Sequence, residues 1–146
     1  VQTFMPYFSF GNIAACLDYK RLGKQRSECK QILRALGVQV GDVPLPEKPS
    51  GWMNHPAVRM WRGHELSLCE YAVYMCDEWI KRGYVDNTRE QFIKAAENLP
   101  SCTDPAWIRD EQLRLSHRSN LIRKLPEHYG PMWPDVPNDL PYVWPV

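Results

Sequence analysis

Two groups in the 146-residue chain could carry covalent chemistry: the α-amino group of Val1 and Glu28, a solitary carboxylate set in a run of cations. From Lys20 to Arg34 there are six basic residues (Lys20, Arg21, Lys24, Arg26, Lys30 and Arg34) against that one acid. An α-amino group titrates near ~7.7–8 and a lysine near ~10.4, so at neutral pH the α-amine's free-base fraction is on the order of a few hundred times larger. Such an amine is a natural Schiff-base former. Helical spacing puts Lys24 one turn before Glu28 and Arg21 two turns before it, where neighbouring cations tune a carboxylate. The same spacing also fits an ordinary intrahelical Glu–Lys pair.

Other catalytic constellations are missing from the sequence. There is no Gly-x-Ser-x-Gly, His-Glu-x-x-His or phosphate-binding glycine loop. The four histidines (His55, His64, His117, His128) are dispersed, so neither a metal nor any other cofactor is expected. Five cysteines (Cys16, Cys29, Cys69, Cys76, Cys102) form an odd count without a Cys-x-x-Cys pair, which reads as buried reduced thiols. Net charge is +1, so the basic stripe, not bulk charge, would have to attract a polyanion. No apolar run is long enough to span a bilayer, and the N-terminus lacks a secretion-signal layout. The chain therefore reads as a cytoplasmic protein without membrane attachment, and as a monomer.

These groups must be positioned by a fold that the hydrophobic pattern outlines. With 44% hydrophobic and 24% charged residues the chain is ordinary globular material, and its length suits one domain over 1–146. Val1 to Phe8 is apolar and aromatic around Pro6, an extended segment laid against a core. From about Asn12 to Leu36, the residues Leu22, Cys29, Ile32, Leu33 and Leu36 fall within about 100° on a helical wheel, predicting a first helix with Gly23 as its weak point. Gly37 to Met53 reads as a loop. A second helix runs from Asn54-His55-Pro56 to Gly83, with Ala57, Trp61, Leu68, Tyr71, Ala72, Met75 and Trp79 on its apolar face. Asn87-x-x-Glu90 resembles a capping box for a short third helix ending before Pro100, and Asp104-Pro105 opens a fourth reaching about Leu125. Pro126 to Val146, with six prolines and Tyr129, Trp133, Tyr142 and Trp144, predicts a packed irregular tail without helix. The expectation is an all-α domain of about four helices with an extended N-terminal segment and an aromatic, Pro-rich C-terminal tail.

Leu17-Asp18-Tyr19-Lys20-Arg21-Leu22-Gly23-Lys24-Gln25-Arg26-Ser27-Glu28 and Asn54-His55-Pro56-Ala57-Val58-Arg59-Met60-Trp61 resemble the pyrimidine-dimer DNA glycosylase family, the phage endonuclease V type. The likeness extends through Trp79-Ile80-Lys81-Arg82-Gly83-Tyr84. The tail from His117 through His128-Tyr129-Gly130-Pro131 to Leu140-Pro141-Tyr142-Val143-Trp144-Pro145 is similar to a bacterial branch of that family, while residues 86–110 match nothing in it. The resemblance implies a DNA glycosylase with abasic-site lyase activity acting on double-stranded DNA that holds a damaged base, a pyrimidine dimer in the first instance. In that family the amine exposed by methionine removal attacks the sugar carbon, so the resemblance implies Val1 as the nucleophile and Glu28 as the matching glutamate. Arg21, Lys24 and Arg26 would then neutralise phosphates, with Lys20 and Lys30 as further candidates. His55 matches a position close to the site, and Tyr129 and Trp133 could wedge against bases. Where the phage enzymes carry arginines, this chain has Gln2, Ser27 and Gln31, of which Gln31 is kept as a candidate DNA contact. Those departures touch recognition of the lesion and leave open an enzyme for another modified base, or a non-catalytic nucleic-acid-binding module.

Overall fold

The computed structural model describes residues 1–48 and 51–146, and all regular structure among them is helical. Helix α1 spans Phe10–Cys16 and α2 spans Tyr19–Ala35. A 3₁₀ turn over Gly51–Asn54 leads into the one-turn α3, Pro56–Arg59, and then α4, Glu65–Lys81. Helix α5 is Arg89–Glu97; a second 3₁₀ turn, Ala106–Arg109, precedes α6, Glu111–Lys124, and α7 is the single turn Pro126–Tyr129. Of the loop expected over 37–53, residues 49 and 50 lie outside the described residues.

The expected all-α class holds, but each long helix is broken where a local capping signal outweighs the apolar period. The first breaks at Leu17–Asp18. Leu17 is extended, and the Asp18 carboxylate caps α2 by accepting from the Arg21 amide. Asp18 is itself buried against the Tyr129 hydroxyl, which donates to its carboxylate and accepts from its amide. Burial acts to raise the Asp18 carboxyl, but the hydrogen bonds from Tyr129 and Arg21 outweigh it and hold the group below its ordinary range. The second helix breaks at Gly63, whose φ of +85° belongs to the left-handed region. Its far end is as expected: the Gly83 amide donates to Ile80 and the Tyr84 amide to Trp79, closing a Schellman motif.

Two expected caps differ. No Asn87–Glu90 box forms at α5; Asp86 instead accepts from the Thr88 and Arg89 amides. The fourth helix starts at Asp110, whose carboxylate accepts from the Gln112 amide, and not at Asp104. The tail also holds one helical turn that its prolines were expected to forbid, because Pro126 sits in the first turn, where no amide donor is needed.

Helix α4 is central and packs against α1, α2 and α5, burying Leu68, Tyr71, Ala72 and Met75. Gly23 is a notch rather than a weak point: a Cβ there would lie 2.9 Å from two carbons of the Trp79 indole. Cys16, Cys29, Cys69 and Cys76 are buried as expected, and burial pushes the Cys16, Cys69 and Cys76 thiols up to about 12. Cys102 is only half-buried.

Helix α6 differs in kind, because its inward face carries Ser116, His117 and Ser119. These polar groups bind two non-helical segments whose backbones need partners. On one side the Met5 amide donates to His117 Nδ1 at 2.8 Å, and Arg118 donates to the Pro6 carbonyl. On the other, the Leu140 and Val143 amides donate to Ser119 and Ser116, and Arg123 donates to the Asn138 and Leu140 carbonyls. Tyr142 stacks on the His117 ring. The N-terminus and the tail are thus both fastened to one helix, and they meet where Gln2 bonds Tyr142.

Candidate active site

The N-terminal segment is held almost group by group. Because it joins no sheet or helix, its buried amides and carbonyls need side-chain partners. The Gln2 amide donates to Glu28, and the Gln2 carbonyl accepts from Gln25 Nε2 at 3.0 Å. The Thr3 hydroxyl accepts from the Trp61 indole at 2.9 Å. The Phe4 amide donates to Gln25 Oε1, and its carbonyl accepts from the Tyr71 hydroxyl. The Val1 side chain is packed away at 4% exposure while its nitrogen lies 3.8 Å from Glu28 Oε2.

The sequence-predicted pair Val1 and Glu28 is therefore brought together. Glu28 is buried, its Oε1 faces Lys24 Nζ at 3.7 Å, and its Oε2 faces the Val1 nitrogen and the Gln2 amide. Beside it opens a cavity of about 230 Å³ whose wall includes Gln2, Lys20, Arg21, Lys24 and Glu28. Lys124, from the end of α6, closes that wall from across the molecule. No local pattern marked Lys124; only the packing of α6 brings it to the site. Gln25 was missed for the opposite reason: in a basic stripe it reads as an exposed polar residue, yet it is 1% exposed.

The other expected contacts divide. Arg21 lines the cavity while pairing with Asp18 at 3.2 Å, and Lys24 projects outward at 73% exposure. Arg26 is turned away from the cavity: its guanidinium pairs with the buried Asp86 carboxylate and stacks 4.4 Å from the Trp79 ring centre, so it is spent on packing α2 against the α4–α5 corner. Lys30 is likewise engaged by Gln91. His55 caps α3, accepting from the Ala57 amide at 3.0 Å, with its ring edge-on to Trp144. Gln31 and Ser27 lie exposed on α2.

Tyr129 and Trp133 are corrections to the expectation of base-wedging aromatics. Tyr129 is fully buried, Trp133 is 5% exposed, and their rings stack on each other with centroids 5.5 Å apart. Their polar tips are occupied by Asp18 and Tyr7. A ring enclosed in this way has no face left for a base.

A larger apolar cavity, about 620 Å³, lies between α4 and α5, but it holds no pairing of nucleophile and base. Among the described residues no three His, Cys, Asp or Glu side chains gather to hold a metal, and no helix is long and apolar enough to cross a membrane.

A cavity walled by four cations and a buried carboxylate, with the Val1 amine 3.8 Å from that carboxylate, sets a nucleophile and a base beside a surface suited to a polyanion. No curated protein and no solved structure gives a significant match to the chain. A protein-family model does match, over residues 1–91, the stretch that supplies the amine, the carboxylate and three of the four cavity cations. The chain belongs to the pyrimidine dimer DNA glycosylase family.

Proposed function

We propose that the protein is a DNA glycosylase with an associated abasic-site lyase activity, in which the Val1 amine attacks C1′ of a damaged nucleotide and Glu28 manages the protons. The observation that carries this reading is the 3.8 Å approach of the Val1 nitrogen to Glu28 Oε2 at a cation-walled cavity. In the attack the nitrogen lone pair forms the N–C1′ bond while the glycosidic bond breaks, and the base leaves with that electron pair and takes up a proton. Glu28 is the carboxylate placed to accept the proton that the amine gives up.

Opening of the C1′–O4′ bond then yields an iminium, and O4′ is protonated. The iminium acidifies C2′; loss of a C2′ proton expels the 3′ phosphate by β-elimination, and water hydrolyses the imine to free the amine. Lys20, Arg21, Lys24 and Lys124 would neutralise phosphates of duplex DNA around the lesion. A damaged pair unstacks at lower cost than an intact one, which favours extrusion of a nucleotide.

The first substrate to test is a pyrimidine dimer. A second substrate is favoured by one observation: the Gln2 side chain, where the phage enzymes carry arginine, is bonded to Tyr142, and Ser27 and Gln31 add no charge. Another modified base would share the amine chemistry and not the lesion. Borohydride trapping on duplexes containing a dimer, an abasic site or other modified bases tests both. The expected result is a covalent adduct that peptide mapping places on Val1. Absence of an adduct on every duplex overturns the enzymatic reading and leaves a nucleic-acid-binding module; an adduct with another base but not with dimers reassigns the lesion.

A further inference from the structure

Residue 2 is gripped on both sides by one helix. Its N–H donates to Glu28 and its C=O accepts from Gln25, three residues earlier on α2. The N–H belongs to the peptide unit that carries Val1, and the C=O to the next one. With both held, φ and ψ of residue 2 are set, and only rotation within Val1 separates the amine from a fixed frame. The buried Val1 side chain restrains that rotation as well.

The Gln25 amide serves this purpose in one orientation only. Its Oε1 must face the Phe4 N–H, 3.1 Å away, and its Nε2 the Gln2 carbonyl; a flipped amide would set N–H against N–H. Tyr71 holds this orientation. Its hydroxyl lies 2.8 Å from both Gln25 Oε1 and the Phe4 carbonyl, and its single hydrogen is shared between them. Burial pushes the Tyr71 hydroxyl well above its ordinary range, which keeps that hydrogen in place.

We infer that Gln25, oriented by Tyr71, is a positioning residue for the Val1 amine, holding it in reach of Glu28 at the cavity wall. The grip is on main chain, so it operates whatever side chain stands at position 2. This inference rests on the proposed amine chemistry. An error of about 1 Å in such a nucleophile costs on the order of a hundredfold in rate.

Three variants separate positioning from simple structural support. Gln25→Met keeps length and volume but removes every polar contact; Gln25→Glu keeps the acceptor and loses the donor to Gln2; Tyr71→Phe removes one hydroxyl. Each is compared with wild type for the single-turnover rate of borohydride-trapped adduct on an abasic duplex, affinity for an uncleavable duplex, and melting temperature. Both Gln25 variants are expected to trap at least about tenfold more slowly, and Tyr71→Phe several-fold more slowly, with affinity within about twofold of wild type. Wild-type rates per folded molecule in Tyr71→Phe and in any folded Gln25 variant, or a loss confined to affinity, overturn the inference. Absence of an adduct from wild type itself would instead overturn the proposed function.

Discussion

The imidazole of His117 accepts a hydrogen bond from the Met5 amide at 2.8 Å, while its second nitrogen, Nε2, is buried with no hydrogen-bond partner among the described residues. The first contact requires Nδ1 to be unprotonated, so the proton of the neutral ring sits on Nε2. Burial pushes His117 from the usual 6.5 down to about 3. A group whose folded value is depressed contributes stability that is complete above its unfolded value and is lost as pH falls below it. Between pH 6.5 and 5, before carboxylates titrate, the loss should come to about 2 kcal/mol, from a limiting slope near 1.4 kcal/mol per pH unit. Urea denaturation at several pH values measures it. His117→Asn, which keeps an acceptor for Met5, should flatten the profile in that window; an unchanged slope would show that His117 is not its source.

Gly23→Ala inverts an ordinary rule. In an exposed helix interior the change stabilises by about 1 kcal/mol. Here the new methyl would meet the Trp79 indole at 2.9 Å, and that ring is fixed by its bond to the Val85 carbonyl and its stack on Tyr84. A net loss of about 1–3 kcal/mol is expected. Increased stability on denaturation would mean that the α2–α4 approach is looser than described.

Arg26 and Lys124 should exchange the roles that charge alone suggests. Arg26→Ala leaves the buried Asp86 carboxylate without its guanidinium, a loss of a few kcal/mol in stability. Lys124→Ala should leave the melting temperature near wild type and lower the salt dependence of duplex binding by about one unit of slope. Unchanged salt dependence in Lys124→Ala would remove this lysine from the DNA contact surface.

Glu28→Gln tests the proton-handling role directly. Turnover should fall on the order of 10²–10⁴-fold, the range for general acid–base catalysis. Affinity for an uncleavable duplex should stay near wild type, because the cavity cations remain. A wild-type single-turnover rate would exclude Glu28 from the chemistry.

Acid should also loosen the α2 start and the α5 start. Burial works to raise Asp86, but hydrogen bonds from Thr88, the Arg89 amide and Arg26 hold it below its ordinary range, as Tyr129 and Arg21 do for Asp18. Stability from both carboxylates is present above the ordinary Asp value and is lost as pH falls through the lowered folded values. Asp18→Asn and Asp86→Asn should each reduce the denaturation slope below about pH 4; an unchanged acid limb in both would contradict these contacts.

The helical class, the α2 core stripe, the glycine stop at Gly83 and the pairing of interest between Val1 and Glu28 could all be read from residue order. Period, end signals and family likeness are local properties, written in contiguous residues. The breaks at Asp18, Gly63 and Asp110 were less legible, because apolar periodicity runs through them and a cap becomes decisive only when the chain turns there. Tertiary structure alone decided which cations face the cavity. Arg26 lies in the same basic stripe as Lys24, yet packing against Asp86 and Trp79 removes it, while α6 delivers Lys124 from a hundred residues away. Residue order allowed Tyr129 and Trp133 either to pack or to present a face to a base; their mutual stack in the interior decides for packing. As for Val1 and Glu28, the sequence supplied a reactive amine and a carboxylate; their 3.8 Å approach depends on a non-helical segment held by Gln25, Tyr71 and His117, from α2, α4 and α6, and by Trp61, from the turn after α3, contacts that no local pattern encodes.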